Sequence, residues 1–118
     1  MSLTDAPPPL LAEQLPAGLL ERIVSHLNPI KVIVFGSQAT GKTHKDSDWD
    51  LLIVVDDDIP TERINWRGIH EARRGVRGAI DLIACRESTF LDRQDIIGSL
   101  PWIALKEGVA VYERSKAS

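Results

Sequence analysis

The sequence has few of the features that mark secreted, membrane or zinc-binding proteins. It contains one cysteine, Cys85, among 118 residues. An internal disulfide is therefore excluded, and a cytoplasmic location is expected. No apolar run approaches the ~20 residues that span a bilayer, so the sequence predicts no membrane contact. The three histidines are scattered along the chain and lack the spacing of zinc ligands.

The chain also lacks an excess of positive charge. Its net charge of −3 makes nucleic acid an unexpected primary partner, because proteins that bind the phosphate backbone are usually basic. The length fits one domain, and an apolar fraction of 43% is enough for a core. We expect a loose N-terminal arm over 1–15, a single domain over 16–114 and a polar tail over 115–118. The sequence leaves a homo-oligomer possible.

Apolar spacing predicts alternating helices and strands. Helical periodicity covers 16–27 and ends at Asn28-Pro29, and short β-branched runs indicate strands. The predicted strands cover 30–35, 48–55, 79–84 and 109–112. The predicted later helices cover 61–77, 88–97 and 101–106. This order predicts an α/β fold of the α+β two-layer type, with a small mixed β-sheet and helices packed against it.

Two aspartates stand at the head of the second predicted strand, separated by one residue. Because side chains alternate along a strand, Asp48 and Asp50 are expected on one face, roughly 6.5–7 Å apart. Asp81 lies inside the third predicted strand, where aspartate is depleted. Carboxylates placed together repel unless a cation neutralises them, and they are ligands that Mg²⁺ prefers. The alternative is that Asp48 and Asp50 merely open a strand after a turn.

A glycine-serine turn follows the first predicted strand. Gly36 allows the backbone to approach a ligand closely, and Ser37 offers a hydroxyl and an N–H near a helix start, where phosphate binds well. The alternative is an ordinary strand-to-helix turn with a serine cap. Gly41 is expected to be only a turn glycine. Together with the aspartates, this turn predicts a site for a nucleoside triphosphate and its metals.

A second motif overlaps the same turn. Residues 36–43 spell G-x-x-x-x-G-K-T, which matches the P-loop pattern and follows a strand. A P-loop must open a helix whose N-terminus points at the phosphates. The next predicted strand begins at residue 48, whereas a crossover helix with its connections takes about a dozen residues or more. We therefore reject the P-loop interpretation.

The combined pattern resembles the signature of a known superfamily. Gly36-Ser37, Gly41, Ser47-Asp48-x-Asp50-Leu51 and Ile80-Asp81-Leu82 resemble the nucleotidyltransferases typified by DNA polymerase beta. More narrowly, the chain is similar to the minimal nucleotidyltransferases, small prokaryotic proteins often encoded beside a HEPN-domain partner. The resemblance covers almost the whole chain, including the closing segment 104–113. It implies the polymerase beta palm-like nucleotidyltransferase fold.

The resemblance also implies roles for single residues. Asp48, Asp50 and Asp81 would hold two Mg²⁺ ions, and Asp81 would contact the ion that activates the acceptor hydroxyl. Gly36 and Ser37 would hold the β- and γ-phosphates of ATP.

One position departs from the pattern of the superfamily. Many members have arginine where this chain has Thr40. Lys42 is the candidate phosphate-binding substitute.

The resemblance implies an enzyme that transfers AMP, or another nucleoside monophosphate, from a nucleoside triphosphate to a hydroxyl group. The expected acceptor is a HEPN-type toxin, which would make this chain the antitoxin. Two alternatives stay open: transfer to a small molecule such as an aminoglycoside, and a non-catalytic module that binds a nucleotide or a partner.

Basic residues recur at spacings of three and four along the predicted third helix. We interpret them as a solvated helix face, and the alternative is a surface for an acceptor, RNA or an acidic partner. The residues are Arg63, Arg67, His70, Arg74 and Arg77. The three tryptophans are expected in the core or at interfaces, and Cys85 is expected to be a small buried hydrophobe.

Overall fold

The computed structural model describes residues 13–36, 39 and 48–114. The helices are α1 (Leu19–Leu27), α2 (Thr61–Ile64), α3 (Trp66–Ala72), α4 (Glu87–Arg93) and α5 (Leu100–Glu107). The strands are β1 (Lys31–Phe35), β2 (Trp49–Val55), β3 (Ile80–Arg86) and β4 (Val109–Glu113). Within these residues, no helix has the length and apolar character needed to cross a bilayer.

The four described strands form one mixed sheet in the order β3-β2-β1-β4. β1 pairs antiparallel with both β2 and β4, whereas β2 and β3 run parallel. The parallel pair is connected through α2 and α3, as a parallel connection requires. The antiparallel pairing of β1 and β2 means that the chain reverses between them, which agrees with the rejection of the P-loop. The predicted mixed sheet with packed helices is confirmed.

Helices cover both faces of the sheet. On the first face, Leu51 and Ile53 of β2 are fully buried in a core that includes Leu19 and Ile23 of α1. Trp49 packs against this core too, as the alternation of side chains along β2 requires.

The second face carries a smaller core. Leu52 and Val54 of β2 are buried there with Phe90 of α4 and Ala104 of α5. The alternation of β2 places Asp50 on this second face, one step before Leu52. Since Asp50 is only half-buried and Leu52 is fully buried, the face opens toward the beginning of β2.

The predicted helix over 61–77 is wrong in its extent. The backbone is extended at Asn65, whose side chain accepts a hydrogen bond from the Gly68 N–H at 2.9 Å and so starts a new helix. That helix ends at Ala72, and Gly75 follows with a φ of +81°. Arg74 lies beyond the helix, so the basic residues do not form a single helix face.

Other boundaries differ by a few residues. β3 continues to Arg86, two residues past the predicted strand end, and α4 ends at Arg93 instead of residue 97. The Ser99 hydroxyl donates to the Arg93 carbonyl at 2.7 Å, and Ser99 Oγ accepts from the Trp102 N–H at the start of α5. A turn held in this way replaces the last part of the predicted helix.

Three side chains have notable burial. Leu15, placed in the arm by the sequence, is 8% exposed and belongs to the first core. Trp66 is 76% exposed, so it does not lie in the core, and the expected alternative of an interface position stays a prediction. Cys85 is half-buried at the edge of the second core, and burial raises the pKa of its thiol. A protonated thiol in this position fits the expected hydrophobic role.

Candidate active site

Two of the predicted site aspartates are direct neighbours across the sheet. Asp50 of β2 and Asp81 of β3 are register partners in the parallel pair. Partners in adjacent strands project to the same face, and the strands lie about 4.8 Å apart. Asp50 is half-buried and Asp81 is exposed. The sheet therefore presents two carboxylates side by side at the open end of its second face.

The third predicted aspartate joins this pair. Asp48 is exposed and immediately precedes β2. Burial raises the pKa of Asp50, and the negative charges of Asp81 and Asp48 raise it further. Within the described ranges, none of the three carboxylates has an ion-pair partner. The three acids thus form one centre of negative charge that no described cation neutralises.

The glycine turn lies against the same centre. Phe35, the last residue of β1, pairs with Asp50, and Gly36 follows with a φ of +77°. A Cβ atom on Gly36 would stand 2.5 Å from Oδ2 of Asp50, closer than real Cβ contacts. The Gly36 carbonyl accepts a hydrogen bond from the Ala39 N–H at 3.1 Å, so the chain bends away at this point. A residue with a Cβ would have to displace this carboxylate and would be strained at this positive φ, so the position favours glycine.

Three predicted site residues cannot be placed. Ser37, Gly41 and Lys42 lie outside the described residues, so their expected roles in phosphate binding or turning stay predictions.

The donor set fits a divalent cation. Carboxylate oxygens are the ligands that Mg²⁺ takes, and three of them lie at one end of one sheet face. In the described part of the chain, no three Asp, Glu, His or Cys side chains are arranged to hold an ion as they stand. The positions of the acids therefore suit a metal, and the side-chain conformations do not themselves form a closed ligand shell.

The structure adds a groove that the sequence did not predict. A hollow of about 520 Å³ runs between β3 and the α2–α3 segment, and Asp81 is part of its wall. The opposite wall includes the exposed ring of Trp66, with His70 and Arg73. Trp66 and His70 stand four residues apart on one helix, a signal present in the sequence. This signal does not by itself indicate a groove, because a tryptophan usually lies in the core or at an interface.

Comparisons with known proteins agree with this architecture. Residues 18–107 match the family model described as a nucleotidyltransferase domain. A comparison with curated proteins gave no match. Among solved structures, a toxin-antitoxin crystallised with AMP-PNP shares 16% sequence identity at a TM-score of 0.54, covering 81% of this chain and 72% of that chain.

A second solved structure is a candidate nucleotidyltransferase from Sulfolobus solfataricus. It shares 23% identity at a TM-score of 0.55, over 92% of this chain and 82% of that chain. At these identities the two structures show a common fold. The family model covers most of the sequence, including Gly36 and all three aspartates. The chain therefore belongs to the nucleotidyltransferase domain family.

Proposed function

We propose that this protein transfers AMP from ATP, with Mg²⁺, to a hydroxyl group on a protein partner of the HEPN toxin type. The observation that carries the proposal is the register of Asp50 with Asp81, together with the contact between Gly36 and Asp50. These two relationships align three features across the sheet: a bend suited to phosphate on one side, Asp50 in the middle, and Asp81 on the other side.

The order Gly36, Asp50, Asp81 across the sheet would place the two substrates on opposite sides of Asp50. The bend at Gly36 belongs to β1, an inner strand, so the triphosphate would lie on the inner side of Asp50. Asp81 belongs to β3, an outer strand, and is exposed. An acceptor hydroxyl would therefore reach Asp81 from the free side of the sheet without crossing the nucleotide.

The reaction is a substitution at the α-phosphorus. The acceptor oxygen forms a bond to the α-phosphorus, the bond to the bridging oxygen breaks, and pyrophosphate leaves. Asp48, Asp50 and Asp81 would hold two Mg²⁺ ions, which supply the positive charge that such two-metal sites place at the attacking and leaving oxygens. Asp81 orients the hydroxyl, whose proton passes to solvent. The chain contributes position and electrostatics, with no covalent protein intermediate.

The nature of the acceptor has two supports. The resemblance to minimal nucleotidyltransferases implies a HEPN partner, and one structure with the same fold is a toxin-antitoxin with AMP-PNP. The described domain is small and offers little surface to enclose a small acceptor, whereas a partner protein would bring its own surface.

Incubation with ATP, Mg²⁺ and the product of the neighbouring gene tests this function. We expect intact-mass spectra of the partner to gain one or more AMP units. Asp50→Asn and Asp81→Asn should abolish the gain, because each removes a charged ligand. Asp92→Asn, an exposed aspartate on α4, is the matched control and should behave as the unmodified protein does. A partner of unchanged mass, or equal transfer by all variants, would contradict the proposal.

A further inference from the structure

The groove beside Asp81 has a chemical character of its own. It is bounded on one side by the outer edge of β3, from Ile80 to Ala84, and on the other by Trp66 and Arg73. In the described part of the chain, β3 has a neighbouring strand on one side only. The groove is therefore lined by the main chain of an unpaired sheet edge.

The hydrogen bonds show which peptide groups face this edge. The Trp49 N–H donates to the Ala79 carbonyl at 2.9 Å, so Ala79 points toward β2. Strand residues alternate, so Ile80, Leu82 and Ala84 point outward. Arg73 confirms this direction, because its Nη1 donates to the Ile80 carbonyl at 2.9 Å from the groove side. The main-chain groups of Leu82 and Ala84 therefore face the groove.

Both ends of this edge are closed by arginines. Arg73 donates to the carbonyls of Gly78 and Ile80 at the beginning. Arg86 donates to the carbonyls of Asp57 and Ile59 at the end, which ties the strand to the loop before α2. Unpaired edges invite unwanted strand pairing, and proteins usually shield them. Here the two arginines leave the edge from Leu82 to Ala84 unshielded. This short window begins next to Asp81.

The wall opposite the window carries positive charge at Arg73, which lines the groove. Arg63 and Arg67 line a separate hollow, together with Glu62 and Glu71. Arg67 stacks over the Trp66 ring at 5.3 Å from its centroid, and neither Arg67 nor Arg73 forms an ion pair with another described residue. An acidic ligand with a peptide backbone would match both the charge of this wall and the edge of β3.

We infer that this groove binds an extended, acidic segment of the acceptor protein, which pairs with the outer edge of β3 and presents a hydroxyl side chain to Asp81. The inference rests on the proposed function for the role of the hydroxyl. A strand residue opposite Asp81 projects to the same face, with Cβ atoms about 4.5–5.5 Å apart. Its two neighbours project to the other face, toward Trp66 and Arg73. Strand addition supplies main-chain hydrogen bonds for affinity, and alternate side chains supply selectivity.

Binding can be measured without any transfer. The probe is a ten-residue peptide of β-branched residues with glutamate on both sides of a central alanine. We expect the amide resonances of Leu82 and Ala84 to shift and their hydrogen exchange to slow at least tenfold. A second peptide of equal charge has proline at alternate positions, so it lacks the donors that pairing needs, and it should protect neither amide.

Two variants locate the contact on the protein. Trp66→Ala should weaken peptide binding at least fivefold while affinity for a non-hydrolysable ATP analogue stays unchanged. Ile97→Ala is the control, because Ile97 is 80% exposed and Trp66 is 76% exposed, and it should alter neither affinity. With serine, threonine or tyrosine at the centre of the peptide, Trp66→Ala should raise the KM for the peptide without changing the KM for ATP.

The inference is overturned if no peptide protects Leu82 and Ala84, or if the proline peptide binds equally well. It is also overturned if an RNA oligomer protects these amides and the acidic peptide does not. These readings are made without ATP, so they are independent of catalysis. If Trp66→Ala transfers AMP to a partner as well as the parent protein does, the proposed function is retained, and only the inference about the groove is overturned.

Discussion

Gly36 and Asp50 are in such close contact that a side chain at position 36 would have to displace the Asp50 carboxylate. A Cβ atom there would lie 2.5 Å from Oδ2 of Asp50, in a backbone conformation with a φ of +77°. One glycine thus serves two requirements, a left-handed bend after β1 and room for a carboxylate on β2. The contact connects the bend to the acidic centre and makes their joint function testable.

Gly36→Ala should damage both stability and nucleotide binding. The positive φ alone costs about 1–2 kcal/mol for a residue with a Cβ. Displacement of the Asp50 carboxylate should also lower affinity for ATP with Mg²⁺ at least tenfold. Urea unfolding and calorimetric titration measure the two effects.

Gly75→Ala separates the effect of the positive φ from the effect of the contact with Asp50. Gly75 has a φ of +81°, but a Cβ there would meet nothing within 4 Å. We expect a similar loss of stability with nucleotide affinity intact. Equal loss of affinity in both variants would show that the contact with Asp50 is irrelevant.

Asp50→Asn should stabilise the metal-free protein at neutral pH. The pKa of Asp50 is raised above its ordinary value of 3.8, first by burial and then by Asp81 and Asp48. The folded state therefore binds more protons than the unfolded chain just above that value, and stability falls as pH rises through this window. Removal of the charge removes this penalty. Thermal melts across acidic to neutral pH should show the variant above the parent protein only at the higher pH.

The same variant should lose its response to metal. Added Mg²⁺ should raise the melting temperature of the parent protein by screening the acidic centre, and it should leave Asp50→Asn nearly unchanged. Asp92→Asn, an exposed aspartate on α4, should retain the full response. A shift of equal size in both variants would place the binding of Mg²⁺ elsewhere.

Asp56 and Arg114 form a second, structural relationship. Two guanidinium nitrogens of Arg114 donate to the two carboxylate oxygens at 2.9 and 3.0 Å, joining the end of β2 to the end of β4. This hydrogen bonding lowers the pKa of Asp56. Its stabilisation is present above the ordinary carboxyl pKa and is lost as pH falls through the lowered value. Because both side chains are about one-third exposed or more, we expect only about 0.5–1 kcal/mol.

Asp56→Asn tests this bridge. Urea unfolding should show the loss at pH 7, and the difference from the parent protein should shrink as the pH falls below the ordinary carboxyl value and vanish once the carboxyl is protonated in the folded state. Asp58→Asn, in the same loop and exposed, should have no effect at either pH. A difference that persists in acid would mean that Asp56 acts through packing and not through its charge.

The sequence revealed the acidic site because its signals are local. Alternation along β2 separates Asp50 from Leu51 and Ile53, and a glycine at the end of β1 marks a bend. The partnership of Asp50 with Asp81 could not be read in this way, because it depends on which strands pair and in what register. Strand pairing is a long-range property. The position of Asp81 inside a strand marked it as unusual, and the family resemblance connected it with Asp48 and Asp50.

Periodicity predicts the α2–α3 segment incorrectly for a different reason. Helical spacing continues from Ile69 to Val76, but Asn65 breaks the run by capping a new helix with its own side chain. An asparagine competes with the backbone for hydrogen bonds, and periodicity alone does not register this competition. Trp66 is exposed at the start of the new helix and forms part of the wall of the groove. A single continuous helix over 61–77 therefore does not predict this groove.

The most direct test of the account is a count of bound metal ions. Mn²⁺ replaces Mg²⁺ and is titrated into the protein with a non-hydrolysable ATP analogue, and bound ions are counted by electron paramagnetic resonance. We expect two ions in the parent protein, fewer in Asp81→Asn, and almost none in Asp50→Asn. If Asp50→Asn binds as many ions as the parent protein, the three aspartates are not the metal site, and the proposed function loses its basis.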